Sequence, residues 1–344
     1  MPEAHERALR APWPTALVVT AFLLLVLDLV FRAAWHPHPT RLPEQFSAAY
    51  LERYLEGVRP SRPILVLGDS TLWGYHLTER DATVARLAAL HPGETYLNLS
   101  YEGGSIVNSL FALRFALARG VRPAAVIVNL NSKEFNPADS AYKRLHPALE
   151  RAVAAQLTAH DRSLLTLLAP PTFADRLDTL VAGVWAVYRH RIDIRVALFG
   201  FDDFAGFAVD RLHRFSGEQQ RYERIHRPTA DAFLGTYDLE AIAPDNVEAT
   251  YLRELRAELV RHRIPAVAFL TPTNHALLGG TIDDPAYAEN LSRIARAMRG
   301  PGIRVVDLDR LDVGPHFIDN DHLDAAGSRL LAIRLAHELD LVRR

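Results

Sequence analysis

Five short apolar runs, separated by helical patterns, set the tightest limit on what this chain can fold into. They are Pro63–Leu67 (PILVL), Thr95–Leu99 (TYLNL), Ala124–Leu130 (AAVIVNL), Pro265–Leu270 (PAVAFL) and Ile303–Leu308 (IRVVDL). A strand with one wet face alternates apolar and polar residues, whereas a strand covered on both faces is apolar almost throughout. Between and after these runs the spacing predicts helices over Ala82–Leu90, Val107–Ala118, Val247–Arg261, Tyr287–Met298 and Ala325–Leu339. Strands returned to the same sheet edge by helices give an α/β protein with a parallel sheet, and reactive groups gather at the carboxyl ends of its strands. At 344 residues and 49% hydrophobic, the chain has enough apolar surface for such a core.

The alternation lapses from about residue 137 to 244, too long for an ordinary connection and rich in helix-like segments such as Ala148–Leu157 and Leu177–Tyr188. This is read as a helical insertion or lid. Its apolar pieces, Ser163–Leu168 and Thr179–Tyr188, are too short to span a bilayer, and a buried core position is the preferred reading over a face resting on lipid.

The N-terminus differs from the rest. Thr15–Phe31 (TALVVTAFLLLVLDLVF) is apolar but for two threonines and Asp28, about the minimum length for a spanning helix. Trp13 and Trp35 flank it, and Arg7 and Arg10 precede it. A cleaved signal peptide requires small residues at its cleavage site, and Phe31-Arg32-Ala33-Ala34-Trp35 puts Arg and Trp there instead, so an uncleaved anchor is expected. The expected organisation is an arm over 1–12, an anchor over 13–35 in contact with lipid, a linker over 36–60 and a catalytic domain over 61–344, on the outer side of the membrane. Asp28 is expected to be wet at the interface, with a membrane partner protein as the alternative.

Composition removes several function classes. The 39 basic and 41 acidic residues leave a net charge of −2, so no basic face attracts nucleic acid. With no cysteine, disulfides, thiolate metal sites and a thiol nucleophile are excluded. Neither GxGxxG nor GxxxxGK[ST] occurs and no zinc-type ligand spacing is evident, so no cofactor is expected. His275 reads as a loop histidine.

Chemistry concentrates in two places. ILVLGDSTLWG puts Ser70 on the turn after the first strand, where a hydroxyl stands clear of the sheet and its own N–H can face a carbonyl oxygen. In HFIDNDHLDAAG, Asp319 precedes His322 by three residues, a spacing that lets a carboxylate orient an imidazole while the second ring nitrogen faces a serine. His316 and Asp321 compete for these roles, and Asp321 or Asp324 also reads as a helix cap.

Together, Gly68-Asp69-Ser70 and Asp319-x-x-His322 resemble the first and last motifs of the SGNH (GDSL-like) hydrolase superfamily. The resemblance implies a three-layer α/β/α sandwich with a flavodoxin-like sheet, and catalysis by Ser70, His322 and Asp319. It also implies an oxyanion hole from the Ser70 N–H, a glycine and an asparagine. Gly103 in NLSYEGGS is similar to the family glycine, with Gly104 as alternative. Asn131 in Asn129-Leu130-Asn131-Ser132 matches the family asparagine, with Asn129 as alternative donor. Here Asn129 replaces the family glycine and Ser132 its aspartate. Losing one such donor costs about 3 kcal/mol in the barrier.

An anchored member with an inserted helical region is similar to membrane-bound relatives that modify envelope or exported glycans. That resemblance implies a serine esterase acting on O-acyl esters, with transfer of the acyl group to a glycan, or glycan binding on a non-catalytic scaffold, as alternatives.

Overall fold

The computed structural model describes residues 13–34, 41–43, 46–57, 62–138, 143–191, 194, 229–233 and 235–343. Arg7, Arg10, Trp35 and the parts 36–40, 44–45 and 58–60 of the expected linker lie outside the described residues, as do 139–142, 192–193, 195–228 and 234 within the insertion.

The five apolar runs form one parallel sheet, β1 (Ile64–Leu67), β2 (Tyr96–Asn98), β3 (Ala125–Leu130), β4 (Ala266–Leu270) and β5 (Ile303–Asp307), in the order β2-β1-β3-β4-β5. This is the flavodoxin-like order, and the direction of winding reverses between β1 and β3. The period of two in a strand divides the side chains between two cores. Leu65, Leu67, Val126, Val128, Ala268 and Leu270 pack into one, beneath α5 (Ile106–Ala118), α10 (Val247–Arg261) and α12 (Pro285–Met298). Ile64, Val66, Ile127, Val267 and Phe269 pack into the other, beneath α4 (Thr83–Leu90) and α13 (Ala325–Arg343). Both faces are therefore covered, which is why the strands read as apolar throughout. Each large side chain so buried stabilises the fold by about 1.5–3 kcal/mol.

The stretch expected to be linker is in part core. Leu42, Phe46 and, from α2 (Ala48–Glu56), Leu51 and Leu55 are almost wholly buried in the first cluster. Arg41 lays its guanidinium 4.4 Å over the Trp73 ring and donates to the carbonyls of Trp73, Gly74 and Leu77, while the Trp73 indole N–H donates to Leu42 O at 2.7 Å. The burial of α2 depends on partners distant in sequence.

The described part of the insertion is helical: α6 (Pro147–Val153), α7 (Ala159–Leu165), α8 (Phe173–Val184) and α9 (Ala186–Arg189). The single helix expected over Leu177–Tyr188 is two, broken at an extended Trp185. The expectation that its apolar pieces are core holds for Leu164, Leu165 and Leu168, which pack in or against the first cluster, and fails at Leu180 and Val184, which are exposed while Thr179 and Ala182 are buried.

The N-terminal run forms α1 (Trp13–Ala34). Thr15–Ala33 is long and apolar enough to cross a membrane, with mean hydropathy 2.3, a test that a signal sequence also passes. Asp28 is neither wet nor awaiting another protein. It is buried, accepts from the N–H groups of Ala186 at 2.6 Å and Val187 at 3.1 Å, and pairs with Arg32 at 2.7 Å, while Arg32 also donates to Val184 O. Its carboxylate satisfies two of the orphan donors of α9, which is what restarts the helix after Trp185.

Candidate active site

The turn that carries Ser70 is built from a glycine with no room for a Cβ. Gly68 leaves β1 at φ +150, and a Cβ there would lie 1.7 Å from Asn129 Oδ1. Asn129, buried under the turn, accepts from Asp69 N at 3.2 Å and donates to Asp69 Oδ1 at 2.7 Å. Asp69 in turn caps α3 (Ser70–Trp73) by accepting from Thr71 N at 2.8 Å. Ser70 is thus the first residue of a helical turn, held at the sheet's switch point.

His322 arrives from the opposite end of the chain. Its Nε2 lies 2.8 Å from Ser70 Oγ, and its Nδ1 lies 2.7 Å from Asp319 Oδ2. Asp319 also accepts from the backbone N–H of Asp321 at 3.1 Å and of His322 at 2.9 Å, closing the turn that presents the ring. Asn274, the cap of α11 (His275–Ile282), holds this turn from below by donating to Asp319 O at 2.9 Å, and Asn320 donates to Tyr237 OH at 2.9 Å.

Burial alone would raise the Asp319 carboxyl, but the hydrogen bond and charge of His322 outweigh it and hold the group at about 2. Burial alone would lower His322, and the charge of Asp321 with the bond and charge of Asp319 raises it above its ordinary value. With Asp319 ionised, Nδ1 carries the proton it donates and Nε2 is left to accept from Ser70. Tyr75 packs over the imidazole with ring centroids 4.8 Å apart, and His76, at φ 63, meets it edge-on at 6.3 Å.

Among the described residues no partner takes the N–H of Ser70 or of Gly103, the latter at φ +70 in a conformation that favours glycine. Gly104 differs: its N–H donates to Tyr101 O at 3.0 Å, and a Cβ there would come within 2.4 Å of Gly68 O, so its role is close packing against the turn that carries Ser70.

The expected third donor is committed elsewhere. Asn131 Nδ2 has two protons, and it directs them at Asp69 Oδ2 (2.9 Å) and Asp321 Oδ2 (2.7 Å). Asn131 is therefore a strut between the turn carrying Ser70 and the turn carrying His322, and Asn129 is sealed beneath Gly68. Lys133 completes the arrangement through a buried ion pair with Asp321 at 2.5 Å.

Ser132 reaches Tyr287 OH at 3.4 Å. Lys133, Tyr75, His76 and Asn274 carry no signal in the sequence pattern. The competitors resolve by distance. His316 pairs with Asp324 at 3.0 Å, and Asp321 Oδ1 stands 3.5 Å from His322 Nδ1, behind Asp319. His275 opens α11 and joins Asp309 at 2.7 Å, in a buried network with Tyr287 that includes no triad side chain. A cavity of about 840 Å³ beside β5, lined by Asp283, Tyr287, Asp307 and Arg310 among others, likewise includes none of the triad.

Asp319, Asp321 and His322 bring possible ligand atoms within 4.8 Å of one another. Lys133 neutralises Asp321 and both ring nitrogens of His322 are engaged, so the donor set suits proton transfer rather than a cation.

No protein-family model and no curated protein matches the chain. Among solved structures it is similar to a family two carbohydrate esterase from Clostridium thermocellum in complex with cellohexaose, at 11% identity and a TM-score of 0.37, over 82% of this chain and 64% of that one. It is similar also to an active-site mutant of a family two carbohydrate esterase from the same organism, at 10% identity and a TM-score of 0.34 over the same shares. The chain thus spans less than two thirds of the length of either. Likeness at this level leaves the chemistry to be argued from the side chains.

Proposed function

We propose that this chain is a membrane-anchored serine esterase of the SGNH type that cleaves O-acyl esters, with glycan esters as the substrate class that the sequence resemblance implies. The observation that carries the reading is the relay itself: Ser70 Oγ at 2.8 Å from His322 Nε2, with Asp319 at 2.7 Å on the other ring nitrogen. Three side chains drawn from two ends of a chain meet in the order that nucleophilic acyl transfer requires.

In this reading Ser70 Oγ attacks the ester carbonyl while His322 Nε2 takes its proton, and Asp319 stabilises the imidazolium. The negative oxygen of the tetrahedral intermediate faces the N–H groups of Ser70 and Gly103. His322 returns its proton to the departing alkoxide, leaving acyl-Ser70 and an alcohol. A water then attacks with His322 again as base, releasing a carboxylic acid and restoring the serine.

The test is turnover of short-chain p-nitrophenyl esters by the full chain in detergent. Ser70→Ala and His322→Ala should each lower kcat by at least about 10³. Parent activity equal to that of both variants would refute the reading. Addition of glycan acceptors, with loss of free acid and gain of acylated glycan, would show transfer rather than hydrolysis.

A further inference from the structure

Helix α8 is amphipathic in the wrong sense for a helix on an aqueous surface. Phe173, Leu177, Leu180 and Val184 fall at positions i, i+4, i+7 and i+11, one continuous stripe, and they point outward, with Phe173 81% and Val184 68% exposed. The inward face carries the small residues instead: Thr179 and Ala182 are buried, and Gly183 approaches Ser47 of the α2 cap, where a Cβ would be 3.4 Å from the Ser47 Cβ. Thr172 and Asp175 cap the helix reciprocally, so the stripe sits on a well-formed element.

What covers this stripe follows from where α1 meets the domain. Asp28 and Arg32 of α1 are bonded to Val184, Ala186 and Val187, the end of α8 and the start of α9. The apolar stretch Thr15–Ala33 is about 28 Å long at the α-helical rise, and that contact falls in its last six residues, where Leu29 and Val30 are still exposed. A bilayer's hydrocarbon layer is about 30 Å thick, so this stretch nearly fills it and the contact sits at one margin of it. Helices that lie in the interface bury their apolar faces about 5–10 Å into the headgroup and acyl boundary, the level at which this contact holds the end of α8.

We propose that the Phe173–Val184 stripe of α8 is embedded in the outer surface of the same bilayer that α1 crosses, so that the catalytic domain is seated on the lipid and not merely tethered to it. This rests on the reading of α1 as an uncleaved spanning anchor. The occupant is lipid, because the stripe is continuous with the emerging α1 through hydrogen bonds at Asp28 and Arg32.

The chain has no cysteine, so a single introduced one is a unique labelling site. The full chain, carrying Phe173→Cys, Leu180→Cys or Val184→Cys, would be spin-labelled and reconstituted in phosphatidylcholine–phosphatidylglycerol vesicles. Collision with oxygen and with a water-soluble nickel chelate would then be compared. Leu23→Cys in α1 reports on the anchor, and Glu289→Cys, exposed on α12, on bulk water. All four replaced apolar side chains point outward, and an unchanged far-ultraviolet dichroism spectrum confirms folding.

The expected result is an oxygen-to-nickel ratio at 173, 180 and 184 shifted to the lipid side, as at 23 and opposite to 289. Labels on α8 that read as water while 23 reads as lipid would overturn this inference and leave the anchor standing. Water at 23 would overturn the anchor and this inference with it. Labels on α8 shielded from both quenchers, or broadened by a second copy, would mean a protein cover and also overturn it.

Discussion

Removing Asp319 should cost less here than the loss of the carboxylate costs in a triad that has only one. In a Ser-His-Asp system without its carboxylate partner, kcat falls by about 10⁴, or about 5.5 kcal/mol of barrier. In this protein a second carboxylate oxygen, Asp321 Oδ1, stands 3.5 Å from the same His322 Nδ1 and has no hydrogen-bond partner of its own. Two unit charges at that distance interact by roughly 5 kcal/mol at an effective dielectric constant near 20. Lys133, bound to the other oxygen of Asp321, cancels part of this.

If about 2 kcal/mol survives, it restores the rate about 30-fold. Asp319→Ala should therefore lower kcat/KM about 300-fold, and Asp319→Ala with Asp321→Asn should fall to the level of His322→Ala. Asp321→Asn alone keeps an oxygen for Lys133 and serves as the control for damage to that pair. The assay is ester turnover under kcat/KM conditions, with thermal unfolding run beside it because Asp319 also accepts two backbone N–H groups. A folded Asp319→Ala chain no more active than His322→Ala would refute the reasoning.

Three further outcomes are expected from the packing and charge around Gly68, His322 and Glu248. Gly68→Ala should abolish turnover and lower the melting temperature, since its Cβ would overlap the Asn129 amide, and Asn129→Gly in the same chain should recover part of both. The base must be neutral to act, and His322 is raised above 6.5, so kcat/KM should climb through a pKa above 6.5; Asp321→Asn removes a charge that favours the imidazolium and should move that limb to lower pH, as a pH–rate profile would show. Glu248, buried by the first turn of α5, is pushed up to about 8 by burial, only partly opposed by nearby N–H groups. A folded pKa above the unfolded one means stability that is complete below about 4.5 and is lost, at up to about 1.4 kcal/mol per pH unit, as pH rises toward 8; Glu248→Gln should flatten melting temperature against pH across that window.

The strands were legible because burial on both faces leaves a one-dimensional trace, a run of apolar residues that needs no knowledge of the partner strand. The triad was legible for a related reason. Ser70 follows such a run, and Asp319 and His322 are near neighbours in sequence, so each half carries a local signature even though they lie 252 positions apart. The strut was not. Asn131 meets Asp321 across 190 positions, and nothing near either residue says that the amide will be spent on two carboxylates rather than on a substrate oxygen.

Asp28 failed in the same way, because a carboxylate in an apolar run looks wet until the helix that it caps, 158 residues later, is in place. In α8 the periodicity was correct and the direction was not. Spacing shows that a face exists, and only packing shows which way it points.

The chain leaves the domain along a route that is fastened twice, at Asp28 against α9 and again at Arg41, Leu42 and Phe46 against Trp73 and the core. An enzyme on a slack tether sweeps a hemisphere and meets ester groups at any height within its reach. Two fastenings hold the proposed anchor to this domain. On the function and anchor proposed above, Ser70 would work at a single fixed height above the bilayer, so the ester must be delivered to that height, and lengthening the segment between the two fastenings should change which esters are found before it changes how fast any one of them is cut.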